Sequence, residues 1–401
     1  MVIINMVGGI VLTASATHVL NSNDWGSLQE YMLWASNLTV LGIGVPNAVN
    51  RQVAYYLAIE NKDKAIGVVR RSWIHAWHAS LIGAIIGTII LSSRLPQNST
   101  TTCFIGCAIF LIFVCTEPFV QHLDSVFLSS QSYKSFGNAL VWQFAAQVVG
   151  GYLIFIWGIW GFLIARISVA TARLVPKLLS TPIKPTVANC NVKLNELIIV
   201  GGPLLLVGFA ANQFNSFDRL LASIFLDQTI IGNLSVSTIV TSGILYIPQI
   251  IATLYYAKLT GKYAATKDVK SIKIDVVQML IITGAIVACV CAVMFVLIEP
   301  ISAIAFKQHI STMVSVKINI IGSLFSSTNC LTVVYAVFQK SRYVLMQLLF
   351  SCIIMFLTFL ILEGRVDVLN RLAISKTAGN VSFSILLCFF VRRIFSNENK
   401  M

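Results

Sequence analysis

Charge is scarce in this chain. Asp, Glu, Lys and Arg make up 11% of its 401 residues, against roughly a quarter in soluble domains. A water-facing surface cannot be built from so little, which excludes a soluble globular protein and makes lipid the solvent. Acid is scarcer than base, with 15 Asp and Glu against 28 Lys and Arg. The surplus base does not collect on one amphipathic face or among aromatics, as a nucleic-acid surface would require, so no nucleic acid partner is expected. Also lacking is any stretch of domain size free of apolar runs, so no separate catalytic module is attached and a transporter is expected rather than an enzyme. The five histidines (His18, His75, His78, His122, His309) show no metal-ligand spacing with acids or cysteines. The nine cysteines lie in or near apolar spans without a pairing pattern and read as small hydrophobes. No metal, disulfide framework or cofactor is expected.

What the chain has is hydrophobic length: 57% of its residues are hydrophobic and its mean hydropathy is +0.83. About 20 apolar residues cross a hydrocarbon layer of about 30 Å. Such runs occur at 2–20, 29–49, 73–93, 103–128, 138–156, 160–179, 194–214, 229–257, 276–298, 315–338, 343–362 and 378–395. Ala14-Ser15-Ala16 could mimic a signal-peptidase site, but no basic residue precedes the first run, so an uncleaved helix is expected. Only Trp157-Gly158-Ile159 separates the fifth and sixth runs, which demands a tight hairpin. A polar connector at 180–193, with Pro182 and Pro185, divides the chain into bundles at 1–179 and 194–401. The stretch from Asn212 to Lys273, polar at its start and rich in lysine at its end, has a looser earlier copy. There Asn21 to Asp24, Pro46 and Tyr55-Tyr56 lead into Lys62, Lys64, Arg70 and Arg71, much as Pro248 and Tyr255-Tyr256 precede the later lysines.

Basic residues test the count, because cytoplasmic loops carry the excess. With the amino terminus inside, 19 of the 28 Lys and Arg fall in inner loops or the tail and 5 in outer loops. Arg166, Arg173, Arg219 and Lys317 remain at or within spans. Both termini are therefore predicted cytoplasmic. Six crossings per bundle is an even number, so the halves share one orientation, as parallel repeats around a central cavity that opens alternately to either side.

Charges inside spans are costly and face a cavity or a partner. Glu117 and Asp124 are seven residues apart, as are Arg166 and Arg173, so each pair shares one helical face. Two readings are open. The faces neutralise one another, or the basic face, with Arg219 and Lys317, holds an anionic substrate in a wet lumen, where a guanidinium grips phosphate through paired hydrogen bonds. Arg173 and Lys317, near helix ends, also have the length to snorkel to headgroups. Asp218 adjoins Arg219 just past the seventh run, and either anchors a loop or contacts substrate. Asn47, Asn50, Gln143, Gln147, Asn212, Asn215 and Asn329 either line a lumen that admits sugar hydroxyls or join helices. Pro46 and Pro248 occupy matching spans and are hinge candidates.

Three segments carry a family likeness: LGIGVPNAVNRQVAYYLAIENKDKA (41–65), GIWGFLIARISVATARLVPKLL (158–179) and SFDRLLASIFLDQTIIGNLSVSTIVTSGILYIPQIIATLYYAKL (216–259). In them the chain resembles the MATE-like superfamily of multidrug, oligosaccharidyl-lipid and polysaccharide exporters, and within it the Wzx-type flippases of O-antigen or capsular repeat units. The resemblance implies an all-α polytopic protein of about 12 transmembrane helices in two six-helix bundles, in a bacterial inner membrane. It implies transport of undecaprenyl-diphosphate-linked oligosaccharide to the outer leaflet, with membrane lipids and polysaccharide polymerase or chain-length proteins as partners. A cationic lumen would attract the diphosphate or sugar acids, and Arg51, Arg166, Arg173, Arg219 and Lys317 are the positions that it singles out. The same fold admits a cation-coupled multidrug exporter, for which Glu117, Asp124 and Asp218 are the possible coupling acids. A membrane-embedded glycosyltransferase or polymerase would need a large outer loop, and the longest here is 363–377.

Overall fold

The computed structural model describes residues 2–92, 100–185, 192–266, 269–305, 312–338 and 340–397. Residues 186–191 of the expected connector, together with Arg94, Cys190, Lys267, Lys307, His309 and Lys400, lie outside the described residues.

Every described element is helical. In order they are α1 (Val2–Val19), α2 (Ser22–Asn37), a 3-10 segment (Leu38–Gly42), α3 (Val45–Ala58), α4 (Lys62–Ser92), α5 (Thr100–Ser129) and α6 (Tyr133–Ser180). They continue with α7 (Leu194–Phe225), α8 (Gln228–Thr266), α9 (Val269–Ala305), α10 (Met313–Leu324), a second 3-10 segment (Phe325–Leu331), α11 (Thr332–Val337), α12 (Ser341–Ile361) and α13 (Val368–Asn397). A backbone in lipid must satisfy its own hydrogen bonds, which apolar runs of this length can do only as helices. Counting α2–α3 and α10–α11 as one broken crossing each, and α6 as two, yields the twelve expected crossings. The chain forms two compact units, 1–209 and 210–401, and α7 contributes its first half to one and its second half to the other.

The hairpin expected at Trp157-Gly158-Ile159 is made inside α6 by Gly158, whose φ of 56° and ψ of −128° are not helical. Only glycine adopts that conformation without strain. The limbs then close so tightly that a Cβ at Gly161 would fall within the Leu153 carbonyl. Ile154 and Phe162, one on each limb, are buried with Leu12, Trp25 and Ile105 in the core of the first unit.

The second crossing is broken. Ile43 (φ 46°) and Gly44 (φ 74°) are both left-handed, and the two parts meet at 46°. The discontinuity therefore sits just before Pro46, which lies in the first turn of α3, where a missing N–H costs nothing. Breaking the helix releases carbonyls, and His75 Nε2 lies 3.1 Å from the Gly42 oxygen. Gly44 is also pressed against Gly201 of α7: a Cβ on either would collide with the other's backbone. Gly201→Ala is accordingly expected to lose about 1–3 kcal/mol through overpacking. Gly208→Ala, at a position with open space around it, should lose nothing. Chemical denaturation of the two purified variants in detergent measures the difference.

In the second unit Pro248 lies inside α8, which continues through it; the interruption there falls at 325–331, in the tenth crossing. Two helix ends also differ from the hydropathy boundaries. Helix α7 runs on to Phe225, so Asp218 and Arg219 are intrahelical rather than beyond the span. Helix α13 starts at Val368, where Asp367 accepts from the Leu369 N–H, so the 363–377 loop shrinks to a turn. Arg371 and Lys376, counted by sequence as outer-loop residues, are 6% and 5% exposed within α13.

Candidate functional site

In the first unit the acidic and basic faces meet, but out of step with the expected pairing. Arg173 Nη1 lies 2.9 Å from Glu117 Oε2, with Nη2 3.4 Å from Oε1, a forked contact. Asp124 is taken by Lys177, one turn beyond Arg173, at 2.5 Å. Glu117 and Asp124 on α5 thus face Arg173 and Lys177 on α6. Lys177, near the end of the sixth run, is not among the span charges that hydropathy singles out; its spacing of four from Arg173 is the signal that places it on the same face. The register leaves Arg166 out. Its guanidinium stacks on Phe162 at 4.8 Å, and its buried Nε has no hydrogen-bond partner.

The second unit repeats the pattern with different residues. The Asp218 side chain of α7 is 1% exposed and is bound at 2.8 Å by Lys376 of α13, whose side chain is likewise buried. This is the most deeply buried ion pair described, and its cation was invisible as a span residue because charge near the end of an apolar run depresses local hydropathy. Arg371 donates from Nε to the Phe359 carbonyl at 2.5 Å and stacks on the Phe359 ring at 3.6 Å, closing the end of α12. Lys317 is paired with Glu299 at 2.5 Å beside the Phe295 ring. Arg219 is left over: Asp218 serves Lys376 and the Arg219 backbone N–H, while the buried Arg219 Nε finds no partner.

Six of the acids in these helices are held by partners within the protein. Besides the four above, Asp275 is held by Lys258 and Lys262 at 2.6 and 2.7 Å, a bond that pushes the Lys258 ammonium, beyond the end of the span, above the ordinary lysine range. Glu30, buried in α2, also has an interaction partner. Among the described residues no cluster of His, Cys, Asp and Glu is arranged to hold a metal ion.

The remaining candidates fall into two places. Asn47, Asn50 and Arg51 lie at i, i+3 and i+4 on α3 and are exposed together, while Val45, Ala48, Val49 and Val53 on the opposite face are buried. Asn212 is exposed and Asn215 half-buried on α7, two turns and one turn before Arg219 respectively. Gln143 and Gln147 are buried in α6, and Asn329 lies in the interrupted tenth crossing.

These features define a twelve-crossing membrane protein of two units in which Glu117, Asp124 and Asp218 are paired internally and the buried Nε of Arg166 and of Arg219 lacks a hydrogen-bond partner. Its fold is that of the MATE transporters of the MOP superfamily. An inward-facing multidrug-resistance MATE transporter superposes with a TM-score of 0.77 at 13% identity, over 99% of this chain and 96% of the other. An outward-facing one gives 0.71 at 14%, over 100% and 95%. A MOP-superfamily transporter from Pyrococcus furiosus, described as having reversed binding-pocket polarity, gives 0.62 at 14%, over 100% and 95%. No protein-family profile matches the sequence and no curated protein matches it.

Proposed function

We propose that the chain is a transporter that moves an anionic lipid-linked oligosaccharide, an undecaprenyl-diphosphate-linked O-antigen or capsular repeat unit, across a bacterial inner membrane by alternating access. Both termini are cytoplasmic in this reading, the bundles are 1–179 and 194–401 joined by 180–193, and a polysaccharide polymerase or chain-length protein receives the product. One observation carries it. Glu117, Asp124 and Asp218 have partners, whereas Arg166 and Arg219, one in each unit, keep an unsatisfied Nε. A cationic group in a span with a buried N–H left unsatisfied is costly, and a diphosphate in a wet path relieves that cost. The exposed Asn47–Asn50–Arg51 face and Asn212 suit sugar hydroxyls.

The superposed multidrug transporters favour a second reading, cation-coupled drug export, in which Glu117, Asp124 or Asp218 binds the coupling ion. In this chain such an ion would have to displace an internal ammonium or guanidinium from each. The two readings separate when the pairs are removed as units. Glu117→Gln with Arg173→Gln, and Asp124→Asn with Lys177→Gln, are expected to keep surface polysaccharide in a flippase-null strain within severalfold of wild type. A drug exporter that depends on those acids would lose efflux in the same variants, and failure of the wild-type chain to restore polysaccharide despite membrane expression would count against the flippase.

A further inference from the structure

A cavity of about 420 Å³ lies in the second unit between the first turns of α9 and the last turns of α13. Its wall is apolar, with Val277 and Leu280 on one side and Val391 and Phe395 on the other, and Lys273 and Arg392 stand on its lining. Both cations are exposed. Asp275, the acid nearest in sequence, cannot quench Lys273, because both of its oxygens are occupied by Lys258 and Lys262.

Position adds to the chemistry. The apolar span of α9 begins at Ser271 and that of α13 ends at Ser396, so Lys273 and Arg392 mark the level at which hydrocarbon gives way to headgroups. Arg393, the next residue, lines a separate cavity of about 180 Å³ with Lys340, Tyr343 and Phe390; tyrosine and base together are characteristic of that level. A soluble anion would gain only the two charges and leave the apolar wall wet. A molecule with both a phosphate and an alkyl chain fits the whole surface, and basic pockets between helix ends take such headgroups.

We propose that the α9–α13 cavity is a binding site for an anionic phospholipid, with an acyl chain along Val277, Leu280, Val391 and Phe395 and its phosphate between Lys273 and Arg392. The site uses none of the path residues, so it stands or falls apart from the transport reading. Native mass spectrometry of the full chain in detergent, with dioleoyl phosphatidylglycerol or phosphatidylcholine added, tests it. Wild type and a charge-matched Lys184→Gln/Lys193→Gln control are expected to retain phosphatidylglycerol over phosphatidylcholine. Lys273→Gln/Arg392→Gln should retain at least about tenfold less, the effect of losing one contact to a charged group. Equal retention by that variant and the control, equal retention of the two lipids, or displacement by soluble glycerophosphate at the same concentration would overturn the proposal. Should the double variant not fold, Val277→Trp fills the wall without touching charge: loss of phosphatidylglycerol upholds the acyl slot, and full retention refutes it.

Discussion

Arg166→Gln with Arg219→Gln is expected to abolish export of a diphosphate-linked substrate while leaving the fold intact. A hydrogen bond to a charged group is worth about 1.5–3 kcal/mol, so each guanidinium lost from a phosphate contact costs about ten- to a hundredfold in affinity. The substitution leaves no anion stranded, because neither arginine pairs with an acid among the described residues: Glu117 and Asp124 are bound by Arg173 and Lys177, and Asp218 by Lys376. Removing an unpaired charge from a span also eliminates its insertion cost. Unchanged or raised thermal stability together with lost export is the expected signature. Lost export accompanied by aggregation would instead mean that the arginines are structural.

Lys376→Met should do the opposite. It strands Asp218, which is 1% exposed, and breaking a buried pair by removing one partner costs about 3–5 kcal/mol. The double variant Asp218→Asn/Lys376→Met should recover most of that loss, since replacing both members of a buried pair is often neutral. Unfolding of the single and double variants in detergent measures the coupling. Export by the double variant then tells whether the pair only holds α7 to α13 or also takes part in the transport cycle.

The crossings were legible because lipid leaves helices as the only solution for an apolar run; even the hairpin at Gly158 followed from the three residues available to turn. The ends of α7 and α13 were not, because hydropathy treats a charge as a boundary, whereas Asp218 and Lys376 neutralise each other within the bundle. The site was half legible. Spacing of seven put Glu117 with Asp124 on one face and Arg166 with Arg173 on another, with neutralisation as one of two open readings, but which base answers which acid depends on helix register, and that register pairs Glu117 with Arg173 and Asp124 with Lys177 and leaves Arg166 over. Pro46 pointed to the right crossing, while the break itself resides in the left-handed Ile43–Gly44 pair, a conformation that composition does not reveal.

The most direct test is transport in proteoliposomes loaded with a fluorescent undecaprenyl-diphosphate oligosaccharide, beside a parallel set loaded with a cationic dye. The account predicts wild-type movement of the diphosphate-linked sugar, loss of that movement in Arg166→Gln/Arg219→Gln, and no gradient-driven movement of the dye. Dye export with an idle oligosaccharide, or oligosaccharide movement undiminished in the double arginine variant, would contradict it.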